Sequence, residues 1–324
     1  MALTVDMAVI GAGPTGLFCA YYAGFRGLSV AVIDSLPEPG GQITAMYPEK
    51  MIYDVAGFPE VKGRDLVDNL VRQAAPFDPH YLLGRSAREL EHVDGRPVLT
   101  LDDGTEVAAG ALVITAGMGN FSPRPLPAAS GFEGDGLVYF VPELDAHRDK
   151  DVVIVGGGDS AFDWALALHP IARSVTMVHR RAKFRAHHAT VEKVRGLGIP
   201  IHVNTEIKEI LGNGSVRGVR AYSADDETER EFEAHTLVAA LGFIADLGPI
   251  KKWNLELEGR HILVDSTMCT NQPRVFAAGD IAEYTGKVRL IATGFGEAAT
   301  AVNNAATVIR PGASVFPGHS SDEG

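Results

Sequence analysis

Two stretches of the chain carry the same order of polar and apolar positions. Residues 6–34 read DMAVIGAGPTGLFCAYYAGFRGLSVAVID, and residues 151–179 read DVVIVGGGDSAFDWALALHPIARSVTMVH. They align without a gap at an offset of 145 residues. Each begins with aspartate and a short apolar run, continues through a glycine-rich turn into a stretch with helical apolar spacing, and ends in Ser-Val and a second apolar run. This order predicts a strand, a helix and a strand twice, which is the βαβ unit of dinucleotide-binding folds.

Three further apolar runs, residues 111–115, 236–240 and 274–278, are each followed by glycine and predict buried strands. Small and apolar residues at helical spacing predict a helix from about Gly296 to Ile309.

Segments rich in proline, glycine and serine indicate where the chain passes between domains. Residues 120–136 have this composition and predict a linker, and residues 242–249 are the candidate return. We therefore expect an α/β protein with two Rossmann-like domains, the second inserted in the first. Residues 1–118 and 244–324 would form the first domain, and residues 119–243 the inserted one.

Composition narrows the class of protein. The 324 residues are 46% hydrophobic and 22% charged, with a net charge of −12 and no long basic run, which argues against a nucleic-acid partner. The only cysteines, Cys19 and Cys269, are far apart, so neither a disulfide framework nor a CxxC motif is present. No apolar run approaches the roughly 18 residues of a membrane span, and no signal peptide is recognisable. We expect a cytoplasmic protein without a membrane partner.

The first glycine-rich turn has the GxGxxG pattern with Gly11, Gly13 and Gly16. In this pattern the first glycine permits the tight turn, the second lets a pyrophosphate approach the backbone, and the third lets the helix pack on the strand. Asp34 ends the second strand, where a carboxylate accepts hydrogen bonds from ribose hydroxyls. The turn alone fits FAD or NAD; its N-terminal position and a later Ala-Gly-Asp favour FAD.

The second turn repeats this pattern with Gly156, Gly158 and an alanine in third place, and Ser160 begins its helix. In the register of Asp34 stands His179, and a run of arginines follows it: Arg180, Arg181 and Arg185. Guanidinium groups bind phosphate bidentately, so the switch from acidic to basic favours NADP(H) over NAD. His179, His187 and His188 do not have the spacing of a known metal-ligand set, so we expect no metal.

With both turns placed, the chain resembles the flavoproteins related to thioredoxin reductase, through HRRAKFR at residues 179–185 and AAGD at residues 277–280. Thioredoxin reductases carry a CxxC just before the second turn, and this chain has no cysteine there. A narrower resemblance removes that conflict: GGQITAMYPEKMIYDVAGFP at residues 40–59 and the tail PGHS at residues 317–320 resemble the ferredoxin–NADP reductases of the thioredoxin-reductase-like type.

The resemblance implies a set of residues around the flavin. Tyr47 would stack on one face of the ring and His319 on the other, with Ser320 beside it, although Phe316 is a second candidate for the stacking role. Tyr47 could instead be a core or interface tyrosine. The remaining implied FAD contacts are Thr15, Asp34, Gln42, Ala87 through its backbone, Phe121, and Asp280 toward the ribityl chain.

The resemblance also implies the activity. Electrons would pass between NADPH and ferredoxin or a flavodoxin-like one-electron carrier through FAD, in a homodimer whose tail crosses to the opposite subunit. Two other functions stay open: an NADPH-dependent flavin or quinone reductase, and a redox-sensing nucleotide-binding protein without turnover.

Overall fold

The computed structural model of the chain describes residues 2–132, 134–316 and 318. The chain divides into two compact units, Met1–Asn120 with Ala245–Gly324, and Phe121–Ile244. The domain limits predicted after residues 118 and 243 lie two residues and one residue from these positions.

The first unit begins with a run of alternating strands and helices, and a 3₁₀ turn at Ala75–Phe77 follows α3. Its elements are β1 Ala2–Ile10, α1 Pro14–Phe25, β2 Val30–Asp34, α2 Gln42–Met46, β3 Met51–Ile52, β4 Val61–Lys62, α3 Gly63–Ala74, β5 His80–Leu83, β6 Ala87–Val93, β7 Arg96–Leu101 and β8 Glu106–Ile114.

The inserted segment and the return to the first unit complete the chain. The inserted segment contains β9 Asn120–Pro123, β10 Leu137–Val138, β11 Asp151–Val155, α4 Asp159–Leu168, β12 Ser174–Val178, α5 His188–Gly196, β13 Ile201–His202, β14 Thr205–Leu211, β15 Gly218–Ser223, β16 Thr228–Glu233, β17 Thr236–Ala239 and β18 Phe243–Asp246. The return contains β19 Leu257–Glu258, β20 His261–Leu263, β21 Val275–Ala277, β22 Ala282–Glu283 and α6 Ile291–Ile309.

The first unit is built on a sheet with the strand order β5-β2-β1-β8-β7-β6, and β21 also pairs with β8. β1 lies between β2 and β8 and is parallel to both. Its last four residues are all buried because α1 and α6 cover one face while Ile114 and Trp253 pack on the other. This two-sided cover explains why β1 is a continuous apolar run rather than an alternating one.

The second unit repeats the arrangement on a smaller parallel sheet with the order β10-β17-β11-β12-β13. An antiparallel meander, β14-β15-β16, packs Ile207 and Val219 against apolar side chains of β11 and β17. β9 and β18 form a separate two-stranded sheet. Each unit therefore contains one of the two predicted βαβ repeats, and the predicted two-Rossmann fold class is confirmed.

One local prediction was wrong. The long C-terminal helix α6 begins at Ile291 rather than near Gly296. Its first turn contains Gly294, where a Cβ would lie only 2.4 Å from Thr15 Oγ1, so close packing selects glycine at a position with no apolar periodicity. The segment predicted as a linker contains the boundary between the units, and it also contains β9 and a 3₁₀ turn at Pro127–Ala129, where Leu126 is buried in the second unit's core.

Candidate nucleotide-binding sites

The three glycines of the first turn have three different environments. Gly11 has φ +106°, and a Cβ there would lie 2.5 Å from the carbonyl oxygen of Thr115. A Cβ on Gly16 would lie 1.8 Å from the carbonyl oxygen of Gly11. At Gly13, by contrast, no atom of the described residues lies within 4 Å of the Cβ position. Protein packing therefore requires Gly11 and Gly16, whereas the space beside Gly13 is open to a ligand.

Gly13 is also the N-cap of α1, and among the residues that the structure describes no side chain caps this helix end. Pro14 occupies the first helical position, where its missing N–H costs no hydrogen bond. The open glycine and the uncapped helix end together form the kind of cradle that holds a pyrophosphate.

Asp34 lies at the end of β2 and faces the same turn. Its Oδ2 accepts a hydrogen bond of 2.6 Å from the backbone N–H of Ala12, and its Oδ1 accepts one of 2.9 Å from that of Leu36. Burial raises the pKa of this carboxyl above its ordinary value, and these two hydrogen bonds oppose the rise. A carboxylate offers about four acceptor positions, so two are left for ribose hydroxyls.

The segment that leads into α2 folds back onto the turn and brings Gln42 with it. The N–H of Gly40 donates to the carbonyl oxygen of Ala12 at 2.8 Å. The Nε2 of Gln42 lies 3.4 Å from the Cβ position of Gly117, in the loop that follows β8. Gln42 is therefore held between the first turn and the end of the central strand.

The second predicted flavin motif closes on the same helix end. Gly279 has φ +79°, and a Cβ there would lie 2.9 Å from Thr15 Oγ1. The side chain of Thr15 is thus directed at Gly279 and Gly294, so the part of Thr15 that faces the open turn is its backbone. Asp280 follows in the 3₁₀ turn Gly279–Ile281.

Tyr47 lies next to this turn. Burial, followed by the charges of Asp280 and Asp54, raises the pKa of its phenol to about 12. The ring packs on the apolar cluster that α2 and α3 form, and Lys50 Nζ lies 5.9 Å from the ring centroid. The structure therefore brings Tyr47, for which the resemblance implied flavin stacking, close to Asp280, and the tyrosine remains protonated at neutral pH.

The other implied flavin contacts are scattered. Ala87 begins β6, two residues after Arg85, whose N–H donates to the carbonyl oxygen of Asp34 at 3.0 Å, so it lies beside the same end of β2. Phe121 belongs to the second unit, where its ring makes an edge-on contact with Phe243 at 6.0 Å.

The tail prediction rests on His319 and Ser320, which lie outside the described residues. Before them, the Arg26 guanidinium at the end of α1 donates to the carbonyl oxygens of residues 314–315 at 2.8 and 3.2 Å. Phe316 is 59% exposed. The chain is thus tied to the end of α1 that is remote from the first turn.

The second turn has the same open position. No described atom lies within 4 Å of the Cβ position of Gly158, which is the N-cap of α4. Among the described residues, no side chain caps this helix end. A Cβ on Gly156 would lie 2.5 Å from the carbonyl oxygen of Ala240. Ser160, in the first turn of α4, is exposed. This end of α4 therefore also fits a dinucleotide pyrophosphate.

The residue that replaces the ribose-binding carboxylate is His179, and its ring packs against the turn itself. A Cβ on Gly157 would lie 2.4 Å from the imidazole, and the ring Nε2 is 3.3 Å from the carbonyl oxygen of Lys183. Burial lowers the pKa of His179, and the charges of Arg180 and Arg181 lower it further. The imidazole therefore favours its neutral form at neutral pH, and its ring packs on the backbone of Gly157.

The loop between β12 and α5, residues 179–187, contains the three arginines and is called the arginine loop; its backbone is hydrogen-bonded to the second turn. The N–H of Arg185 donates to the carbonyl oxygen of Gly157 at 2.7 Å, and that of His187 to Asp159 Oδ1 at 2.9 Å. The side chains of Arg180, Arg181 and Arg185 are exposed, and within residues 2–132, 134–316 and 318 they have no ion-pair partner. Three unpaired guanidinium groups beside an open glycine turn fit the 2′-phosphate of NADP.

Other kinds of site receive no support. No helix in the described part of the chain is long and apolar enough to cross a membrane. The described residues contain no cluster of three histidine, cysteine or acidic side chains that could hold a metal. Cys19 and Cys269 are both free thiols, and burial raises the pKa of each.

Sequence reasoning missed the residues that support the turns from behind. Thr115 Oγ1 donates toward the carbonyl oxygens of Ile10 and Gly11, both at 2.9 Å. Glu297 accepts a hydrogen bond from the N–H of Gly279. A visible signal existed for Glu297, since it is the one charged residue in α6.

Comparison with known proteins agrees with this geometry. The model of the pyridine nucleotide-disulphide oxidoreductase family matches residues 5–305. The ferredoxin–NADP reductase of Salinispora arenicola (strain CNS-205) is 66% identical over 318 residues, which cover 98% of both chains. That of Saccharopolyspora erythraea is 64% identical over 320 residues, covering 99% of this chain and 98% of the other. The crystal structure of T. acidophilum thioredoxin reductase superimposes with a TM-score of 0.79 at 26% identity, covering 94% of this chain and 98% of that one.

Proposed function

The chain belongs to the pyridine nucleotide-disulphide oxidoreductase family, and from this premise we propose that it is a ferredoxin–NADP reductase with FAD at the first turn and NADPH at the second. The relatives that match nearly the whole chain carry that name. They confirm the family resemblance and the NADPH-dependent oxidoreductase activity that the sequence predicted.

The observation that carries the proposal is a pair of open glycines with opposite chemistry beside them. Gly13 and Gly158 each leave space at an uncapped helix N-terminus. Asp34 faces the first and would repel a 2′-phosphate, whereas arginines without an ion-pair partner among the described residues follow the second and would bind one. One chain thus offers a site for a dinucleotide with a free ribose and a site for NADP(H).

The chemistry of the thiols separates this chain from the thioredoxin reductase that shares its fold. A dithiol reductase needs two neighbouring cysteines that can form a disulfide. Here Cys19 is buried within α1 and Cys269 lies far away in sequence. Electrons must therefore leave the flavin directly to an external acceptor, which fits a one-electron carrier protein.

Bound FAD supplies the redox chemistry, taking two electrons from NADPH and releasing them singly. The protein supplies position and electrostatics. In our proposal the backbone at Thr15 and Gly16 faces the pyrophosphate, Asp34 binds the adenosine ribose, and Ala87 meets the adenine through its backbone. Gln42 and Asp280 then orient the rest of the nucleotide.

Tyr47 is the residue we assign to one face of the flavin ring. A protonated, half-buried phenol offers apolar stacking area and adds no charge. His319 and Ser320 would cover the other face, with Phe121 at the margin. Because Arg26 ties the chain to the end of α1 remote from the first turn, we propose that the tail serves the opposite subunit of a homodimer.

The acceptor is the least constrained part of the proposal. We propose ferredoxin or a flavodoxin-like carrier in the cytoplasm. Such carriers are usually acidic, and this chain also has a net charge of −12, so docking needs local cations. The candidate cations are Lys62 and Arg64, which lie near Glu49, and Lys251, which pairs with Asp246.

An acceptor screen tests the function. The purified holoenzyme is reduced with NADPH in a stopped-flow instrument and then mixed with ferredoxin, flavodoxin, a quinone or free flavin. We expect rapid flavin reduction by NADPH, little by NADH, and sustained turnover with ferredoxin or flavodoxin. Turnover with the quinone or free flavin alone would identify a small-molecule reductase. Nucleotide binding without flavin reduction would identify a sensor.

A further inference from the structure

A buried ion pair lies directly behind the turn that carries Asp280. Lys287 precedes α6, and Glu297 lies in the second turn of that helix. The two side chains form an ion pair and are 1% and 4% exposed. No step of the proposed electron transfer uses either group, so their burial requires a separate explanation.

The pair holds both backbone polar groups of one residue, Gly279. The N–H of Gly279 donates to Glu297 Oε2 at 2.7 Å, and Lys287 Nζ donates to the carbonyl oxygen of Gly279 at 2.9 Å. The hydroxyl of Tyr284 donates to Glu297 Oε1 at 2.7 Å. Burial and this hydrogen bond raise the pKa of Tyr284 to about 12, so the phenol keeps the proton that it donates. The carboxylate and the ammonium therefore act on Gly279 from two sides.

Gly279 is also constrained on its third side. Its φ of +79° is accessible mainly to glycine, and the first helical turn of the nucleotide cradle occupies its Cβ position, since Thr15 Oγ1 would be 2.9 Å away. With the N–H, the carbonyl and the Cα all fixed, the direction of the next residue, Asp280, is fixed as well.

Stability alone does not account for such a pair. Replacing a buried ion pair with apolar side chains of similar volume is often neutral or stabilising, so the pair is better explained by the geometry that it imposes. Lys287 and Glu297 also join the start of α6 to the Gly279–Asp280 turn.

We propose that Lys287 and Glu297 are positioning residues that hold Asp280 in place for the flavin nucleotide. This inference rests on the proposed function, because it presumes that Asp280 contacts bound FAD.

The test compares FAD affinity among holoenzyme variants. Lys287→Met removes the contact with the Gly279 carbonyl, and the double variant Lys287→Met/Glu297→Gln removes both charges while keeping the side-chain shapes. Arg289→Met is the matched control, since Arg289 lies two residues from Lys287 but pairs with Glu283 at the surface. FAD release on dilution is followed by flavin fluorescence, together with the flavin absorbance spectrum, the NADPH affinity and the unfolding midpoint of the FAD-free protein.

We expect both Lys287 variants to bind FAD roughly tenfold or more weakly with an altered spectrum, because a charge-assisted hydrogen bond to the turn is lost. NADPH affinity should stay within about twofold, and Arg289→Met should match the parent. If the single variant fails to fold, the double variant decides. A folded double variant with the parent's FAD affinity and spectrum overturns the proposal. A parent protein that holds no FAD would instead refute the proposed function. The FAD content of the parent is therefore measured before that of any variant.

Discussion

The two glycine-rich turns share one sequence pattern, but their glycines have different backbone angles and different neighbours. In both turns, no described atom lies within 4 Å of the Cβ position of the second glycine. A Cβ on the first glycine would lie 2.5 Å from the carbonyl oxygen that follows the neighbouring parallel strand, which is that of Thr115 for Gly11 and that of Ala240 for Gly156. Gly11 reaches this position with a positive φ, and Gly156 does so without one.

The residue between the first two glycines shows why the ribose-binding position matters to the turn. The first turn has Ala12, whose N–H binds the short side chain of Asp34 and whose methyl group has room. The aligned residue of the second turn is Gly157, where the ring of His179 fills the Cβ position at 2.4 Å. Exchanging a carboxylate for an imidazole thus requires an alanine-to-glycine exchange 22 positions earlier.

The third position differs for a similar reason. Gly16 would place a Cβ 1.8 Å from the carbonyl oxygen of Gly11, whereas the second turn accommodates Ala161. In the first turn the hydroxyl of Thr115 binds that carbonyl, and Ala240 stands at the corresponding place in the second. In the first turn, Gly11 and Gly16 are therefore required by long-range neighbours, whereas no described atom excludes a side chain at Gly13.

Of the variants that compare the two turns, Gly16→Ala should lower the free energy of unfolding most. The new methyl group would overlap backbone atoms that cannot move aside, and we expect a loss of about 3 kcal/mol or more in the free energy of unfolding. Urea titration followed by circular dichroism measures this. The reverse exchange in the second turn, Ala161→Gly, should cost only about 1 kcal/mol, because it adds backbone freedom without a clash. Equal losses would show that the two turns are sterically equivalent.

Removing the arginines should erase the difference in coenzyme choice. Arg180→Ala/Arg181→Ala eliminates two charge-assisted contacts, and we expect roughly 100-fold or more weaker NADPH binding with little change for NADH. Fluorescence titration or steady-state KM values measure the two affinities, and the FAD content serves as the internal control. A parallel loss for both coenzymes would mean that these arginines support the loop rather than bind phosphate.

The aligned aspartates Asp6 in β1 and Asp151 in β11 allow a further comparison, in which we expect a smaller effect on stability. Asp151 binds the hydroxyl of Ser174 at 2.7 Å, as the aligned Asp6 binds that of Ser29 at 3.0 Å. The Arg173 guanidinium adds a bidentate contact to Asp151, and hydrogen bonding from it lowers the pKa of that carboxyl from 3.8 to about 2.

Because this pKa is depressed in the folded state, the carboxylate stabilises the protein above about pH 4, and that contribution disappears as the pH falls to about 2. Asp151→Asn should therefore lower stability at pH 7 by about 1 kcal/mol, allowing for solvent screening of exposed Arg173, and the deficit should shrink in acid. Urea midpoints from pH 7 to pH 2.5 measure it. A deficit that is constant with pH would contradict the role of the guanidinium.

The smallest effect on folding should come from the open glycines. Gly13→Ala and Gly158→Ala add a methyl group where no described atom lies within 4 Å, so the unfolding free energy of the nucleotide-free protein should change by a few tenths of a kcal/mol at most. The first variant should lose FAD selectively, and the second NADPH. Calorimetry with each nucleotide distinguishes them, and a variant that loses the other nucleotide would reverse our assignment of the turns.

The sequence alone determined the two βαβ units, the order of their strands and helices, and the contrast between the acidic end of the first repeat and the arginines that follow the second. These features follow from local rules: apolar runs predict strands, glycines at fixed spacing predict the turn, and the residue that ends the second strand must face it. Asp34 and the arginine loop were therefore recognisable without a structure.

Only the tertiary structure decided how these pieces support one another. The packing of His179 on Gly157, the hydroxyl of Thr115 behind Gly11, and the Lys287–Glu297 pair around Gly279 all join residues that no local pattern connects. The start of α6 was misplaced for the same reason, since Gly294 is a glycine because of Thr15. A Cβ collision or a buried hydrogen bond depends on which atoms the fold brings within a few ångströms, and periodicity along the chain does not encode that distance.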